Sequence, residues 1–267
     1  MADALQEAPG GLDPRLAALK RLAVVPAYNE QGSVGRVIGE LRALDPDLEI
    51  VVVDDGSLDR TVEEASAAGA RVLRLPFRLG IGGAVQTGFR YAFENGFDLA
   101  VRVDGDGQHD PAELALLLEP VLAGEADIAI GSRFAGADGY RSSRPRRLGI
   151  RILAAAVSAL VRQRVTDPTS GFQALNRRAI ALFAADYPHD YPEVEATVMV
   201  ARHRLRRAEV SVSMRERAAG SSSIGAVHSV YYMAKVPLAV FVGMFRRDVV
   251  SSKEGVRGGT TGSPTIR

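Results

Sequence analysis

The chain has 267 residues, 46% of them hydrophobic, with Lys+Arg 33 against Asp+Glu 32 and a formal net charge of +1. That is enough apolar material for a sizeable core in one large or two small domains, which excludes a disordered or fibrous chain, and the balanced charge argues against nucleic acid as a partner. Cys 0 removes disulfides, thiolate metal sites and a cysteine nucleophile, so any metal must be held by oxygen or imidazole ligands.

Residues 1–11 carry Asp3 and Glu7 and lack a basic-then-apolar order, so residues 1–20 read as an N-terminal extension and not as a secretory signal. The protein is therefore expected in the cytoplasm. A first apolar run at 22–25, ended by Pro26, predicts a buried strand, and comparable runs follow at 50–53, 72–75, 99–103 and 128–130. Helical spacing marks 33–44, 61–68, 82–93 and 112–122, with start signals at Ser33, at Asp59 with Thr61, and at Asp110 before Pro111. This alternation predicts an α/β fold with a mostly parallel sheet and helices on both faces. Ligands in such sheets sit beyond the carboxyl ends of the strands, here after Val25, Val53, Val103 and Ile130.

Beyond Ser132 the rhythm breaks. Residues 136–149 form a Gly-, Ser- and Arg-rich loop leading into a helix over 148–161. The basic run from Arg141 to Arg151 fits a solvated surface, a diphosphate clamp or a patch facing anionic lipid. Irregular pieces at 166–171 and 186–192 precede an apolar run at 172–175 and a helix over 193–204, and 210–214 alternates like a strand. Residues 229–247 are apolar with Tyr231, Tyr232 and the cationic flank Arg246 and Arg247. Their most apolar stretch, 236–245, is too short to span a bilayer, and the segment suits a membrane surface, a partner or second copy, or the protein's own core. The organisation expected is an extension over 1–20, an α/β domain over 21–225, an apolar or interfacial helix over 226–248 and a disordered tail over 249–267.

The strongest chemical signal is Val103-Asp104-Gly105-Asp106-Gly107-Gln108-His109-Asp110-Pro111. It follows a buried strand, and two carboxylates two residues apart repel one another unless a cation joins them. Oxygen donors with an amide nearby suit Mg²⁺ or Mn²⁺ completed by water and substrate phosphates, which makes Asp104, Asp106 and Gln108 the candidate metal face. Asp110 reads as a helix cap, and His109 is the one histidine expected at the site. The second strand ends in Asp54-Asp55-Gly56-Ser57, carboxylates able to accept from a base or ribose. The first ends in Pro26-Ala27-Tyr28-Asn29-Glu30, where Tyr28 can stack on a base and Glu30 can bond a ribose or shape the turn. Gly80-Ile81-Gly82-Gly83 departs from the dinucleotide fingerprint, follows the third strand and reads as close helix–strand packing.

Together these motifs resemble the glycosyltransferase family 2 enzymes of GT-A fold, especially the branch of dolichyl- and polyprenyl-phosphate sugar synthases, over residues 22–223. The resemblance implies a metal-dependent inverting transfer from a nucleotide-diphosphate sugar, UDP-, GDP- or dTDP-linked, to a sugar or lipid-phosphate acceptor such as a polyprenyl phosphate or a cell-envelope glycan precursor. It implies nucleotide-sugar contacts from Pro26, Tyr28, Glu30, Asp54, Asp55, Asp104, Arg133 and Arg217, and an acceptor side formed by Asp167-Pro168-Thr169-Ser170-Gly171-Phe172 with Arg177. The segment from Arg217 to Ser223 resembles one that closes over the diphosphate. Two positions depart from the family pattern: Arg78 stands where many relatives have Asn, and Ser223 where a Lys is usual. For a hydroxyl acceptor the candidate bases are Glu193, then Glu195, then Asp167, although Glu193 and Glu195 also suit a helix N-terminus electrostatically. A lipid-phosphate acceptor needs no base. A peripheral contact with the inner face of the plasma membrane, or a homodimer, follows from the apolar late segment. The rival readings are a non-catalytic sugar-nucleotide binder and a nicotinamide-dependent oxidoreductase on a Rossmann sheet.

Overall fold

The structure is a computed structural model that describes residues 13–135 and 144–215. The expected closing segment with Arg217, the late apolar helix and the tail lie outside the described residues.

Seven strands form one sheet in the order β3-β2-β1-β4-β6-β5-β7. The strands are β1 (Arg21–Ala27), β2 (Glu49–Asp54), β3 (Arg71–Arg74), β4 (Leu99–Arg102), β5 (Ile128–Ser132), β6 (Gln173–Asn176) and β7 (Arg207–Ser211). All pairings are parallel except those of β6, which runs antiparallel between β4 and β5. β1 is buried along its whole length, and successive residues feed opposite faces. Ala23, Val25 and Ala27 join the core under α1 (Val34–Leu44) and α4 (Leu114–Leu122), whereas Leu22 and Val24 join the core under α3 (Gly80–Glu94) and α6 (Arg177–Ala185). A strand covered on both faces shows no alternation of polar and apolar residues, which is why the sequence reads as continuous apolar runs. The short α2 (Thr61–Ala67) follows β2. A third cluster of Val157, Val165, Tyr191 and Val194 pins α5 (Arg144–Val161) to α7 (Pro192–Arg202).

Most elements fall where the sequence puts them, with instructive differences. β1 continues through Pro26, whose partner in register is Val53 on β2. α6 was not legible: Asn176 ends β6 and also caps the helix, its side chain accepting from the amides of Arg178 and Ala179, so no turn residues punctuate the junction. β7 starts three residues before the expected strand because Arg207 and Glu209, an ion pair, lie within it. The glycine-rich start of α3 also serves another purpose than helix–strand packing. A Cβ at Gly82 would strike the backbone of Pro188 and His189, while the close approach of α3 to the sheet occurs at Gly88, over Val24.

Candidate active site

The parallel strands deliver their carboxyl ends to one edge of the sheet, and the candidate residues gather there. β6 runs the other way, so its preceding loop, Thr169 to Phe172, reaches that same edge while its far end leaves from the opposite one. This corrects the expectation for Arg177. It begins α6 at the far edge, 3.6 Å from Asp98 and at the opposite end of β6 from the Thr169 to Phe172 loop.

The Asp-rich loop is held from several directions. Gly107 has φ +75°, and a side chain there would also meet the guanidinium of Arg36, so the turn requires glycine. Asp106 accepts the Gln108 amide at 3.0 Å, and the Gln108 carbonyl accepts the Arg215 amide at 2.9 Å. Arg215 ties the loop down further through Glu40 at 2.6 Å and Asp110 at 2.7 Å. Asp110 also caps the turn at Pro111–Glu113 as expected, accepting from Ala112. His109 is buried and stacks on Phe172 with ring centroids 4.8 Å apart. Its Nδ1 accepts the Asp104 amide at 3.0 Å, and burial pushes its pKa down, favouring the neutral ring.

Behind this loop stands a residue that the sequence reading passed over. Arg102 occupies the end of β4 with only 1% exposure. Its Nη2 donates to Glu193 Oε1 at 2.8 Å and to Asp104 Oδ1 at 3.3 Å, and its Nη1 to the Tyr187 hydroxyl at 3.3 Å. Burial opposes its charge, yet the carboxylates of Asp104 and Glu193 outweigh burial and hold its pKa above the ordinary value. Burial likewise pushes the Tyr187 phenol up. The available signal was an arginine inside the apolar run of a doubly covered strand, which demands partners.

The remaining candidates fall into four groups. Asp54 is fully buried and accepts the Ser57 amide at 3.1 Å, shaping the turn, and Asp55 accepts the amides of Leu79 at 2.6 Å and Gly80 at 2.9 Å at the start of α3. Both carboxylates thus brace the corner between the end of β2 and the start of α3. At that corner Arg78 lies 3.9 Å above the Tyr28 ring, and Ser33 donates to Glu30 at 3.1 Å. The third group is the pair of Arg133 with Asp167: Nε and Nη2 donate to the two carboxylate oxygens at 2.6 and 2.8 Å, and Nη2 also reaches Thr169 at 2.6 Å. Burial raises the Asp167 pKa, but the bonds and charge of Arg133 outweigh it and hold the carboxyl below its usual range. Both Asp167 oxygens are thus engaged, and with Arg133 and Thr169 the carboxylate ties down the loop carrying Thr169, Ser170 and Gly171. Glu193 and Glu195 lie in the first turn of α7.

Among the described residues, no three His, Asp or Glu side chains converge to hold an ion. Two hard carboxylates on the Asp104 to Asp106 turn are nevertheless a suitable donor set for a Mg²⁺ or Mn²⁺ ion that takes its other ligands from water and phosphate.

Residues 22–183 match the family model described as glycosyl transferase family 2. The chain is 33% identical over 215 residues to an undecaprenyl-phosphate mannosyltransferase of Micrococcus luteus, covering 77% of this chain and 88% of the relative. It is 32% identical to a polyprenol monophosphomannose synthase of Mycolicibacterium smegmatis, with coverage of 77% and 81%. Among solved structures, glucosyl-3-phosphoglycerate synthase of Mycobacterium tuberculosis with phosphoglyceric acid superposes with a TM-score of 0.69 at 24% identity, covering 90% of this chain and 85% of that one. The same enzyme with Mn²⁺, uridine diphosphate and glucosyl-3-phosphoglycerate gives 0.68. The family match removes the oxidoreductase reading, and with an α/β sheet that gathers its acidic loops at one edge, the chain belongs to glycosyltransferase family 2 as a GT-A enzyme resembling the polyprenyl-phosphate sugar synthases.

Proposed function

We propose that the enzyme transfers a hexose, mannose on the names of its two relatives, from a nucleotide-diphosphate donor to a polyprenyl phosphate at a membrane surface, with inversion at the anomeric carbon. The observation that carries the lipid acceptor is α5. Residues 141–166 contain no Asp or Glu, and Leu148 and Ile152, one helical turn apart, are 60% and 61% exposed beside Arg147 and Arg151. An exposed apolar edge with cations around it suits an anionic bilayer. α5 packs on α7 through the cluster of Val157, Val165, Tyr191 and Val194, so the helix that bears this edge is joined to the helix that bears Glu193. No helix of the described residues is long and apolar enough to cross a membrane, so contact through this face is peripheral.

A phosphate acceptor is already an anion. One of its oxygens bonds to the anomeric carbon while the bond from that carbon to the donor diphosphate breaks, and no proton has to be removed. Asp104 and Asp106 would hold a Mg²⁺ or Mn²⁺ ion that neutralises the departing diphosphate when bound. Tyr28, Asp54, Asp55 and Arg78 form the nucleotide corner, with Pro26 and Glu30 beside it. Arg133 and Asp167 fix the loop of Thr169, Ser170 and Gly171 on the acceptor side, and Arg217 is the further cation for the diphosphate. For a phosphate acceptor Glu193 orients through Arg102 instead of acting as a base. The test is transfer of labelled sugar from GDP-mannose, UDP-glucose or dTDP-rhamnose into lipid extracts of vesicles containing polyprenyl phosphate, with Mn²⁺ present. Labelled lipid from one donor, lost in Asp106→Ala, supports the reading; label transferred only to a water-soluble acceptor overturns it.

A further inference from the structure

Arg102 carries more than a structural ion pair requires. One nitrogen, Nη2, serves two carboxylates that belong to different halves of the site: Asp104 on the Asp-rich loop and Glu193 in the first turn of α7, 91 residues along the chain. The guanidinium is 2% exposed, whereas Asp104 and Glu193 are 32% and 21% exposed, so the cation sits behind them and they face outward. Its Nε is buried with no hydrogen-bond acceptor among the described residues, so the group is held where the two carboxylates need it at the cost of an unmet donor. The passage is kept open by Gly171, where a Cβ would lie 2.7 Å from Nη2, 2.9 Å from Cζ and 3.0 Å from an Asp104 oxygen. Gly171 has no positive φ, so space and not backbone conformation excludes a side chain there.

We propose that Arg102 is a positioning residue that couples the donor-side loop to the acceptor-side helix, so that displacement of Asp104 is transmitted to Glu193 and the reverse. The coupling rests on the proposed division of the site into donor and acceptor sides for its meaning, but the linkage itself is present without ligands. Two sites joined by such an element influence one another reciprocally.

Amide hydrogen exchange of the full chain tests the linkage without substrate. Glu193→Ala should speed exchange across residues 104–109 several-fold, Arg102→Met should do the same, and the double variant should do no more than either alone. Because Asp104 and Glu193 are partly exposed, Arg102→Met is expected to fold, and Gly171→Ala gives an independent perturbation that crowds Arg102 while leaving every charge in place. In turnover, Arg102→Met should lower kcat and raise the Mn²⁺ concentration needed for half activity, with Arg102→Lys recovering part of both. If Glu193→Ala changes exchange only within α7, or if the two single effects add in the double variant, the coupling is refuted. Linkage in exchange with no donor turnover would instead uphold the coupling and refute the proposed function.

Discussion

Replacing Asp167 with Asn separates a proton acceptor from a structural anchor. The carboxylate is fully buried and takes two bonds from Arg133, at 2.6 and 2.8 Å, while Arg133 itself is 10% exposed. Asn keeps the shape but turns one acceptor into a donor facing the guanidinium, leaving a buried cation half paired. Breaking such a pair from one side costs about 3 kcal/mol or somewhat more. The acid dependence has a definite sign. Since the folded-state pKa of Asp167 is depressed below 3.8, its ionised form contributes stability that is fully present above the unfolded value and is lost as pH falls through the folded one. Urea denaturation followed by circular dichroism should therefore show Asp167→Asn about 3 kcal/mol less stable than the parent at pH 7, with the gap closing in acid below 3.8. Under conditions where the variant is folded, kcat should fall far less than the several orders expected for loss of a general base. An unchanged urea midpoint at pH 7, or a gap that stays constant into acid, refutes the reasoning.

Three further outcomes are expected. A Cβ at Gly88 falls well inside 3.0 Å of Val24, so Gly88→Ala should cost about 1–2 kcal/mol by overpacking, and adding Val24→Ala should give a double variant more stable than the sum of the singles, as read by urea midpoints. Asp127, fully buried among Arg206, Asn176 and Arg178, has its pKa lowered to about 2 because those bonds outweigh burial; Asp127→Asn should lose at most about 2 kcal/mol at neutral pH, the gap vanishing in acid, while kcat per folded molecule stays unchanged. Leu148→Ser with Ile152→Ser should weaken cosedimentation with anionic vesicles and leave the melting temperature within a few degrees, since both side chains already face solvent; retained vesicle binding removes α5 as the contact.

The parts legible in the sequence were those governed by local rules. Runs of Val, Ile and Leu sit on strands covered from both sides, caps such as Asp110 act within two residues, and Asp104 to Gly107 must turn where a strand ends. What was hidden depends on partners distant in sequence. Arg102 looks like an interruption of an apolar run until Glu193 is folded against it. Arg177 stands five residues after Phe172, and the intervening strand carries it across the whole sheet to Asp98, which only knowledge of the antiparallel direction could reveal. Asp54 and Asp55 were correctly singled out as strand-end carboxylates, yet sequence could not show that one Asp54 oxygen accepts from Ser57 and that both Asp55 oxygens accept from Leu79 and Gly80.

The insertion of β6 between β4 and β5 also sets the order in which the chain can fold. β1, β2, β3 and β4 can pair as soon as residue 102 is available, because every one of their shared partners has been synthesised. β5 has no such neighbour: its two partners are β6 and β7, so the backbone N–H and C=O groups along its edges wait until Gln173 and then Arg207 emerge. On a ribosome adding residues in sequence, Ile128 to Ser132 is the stretch left longest without its pairings, and refolding from denaturant exposes the same strand to intermolecular pairing until the late half of the chain closes over it.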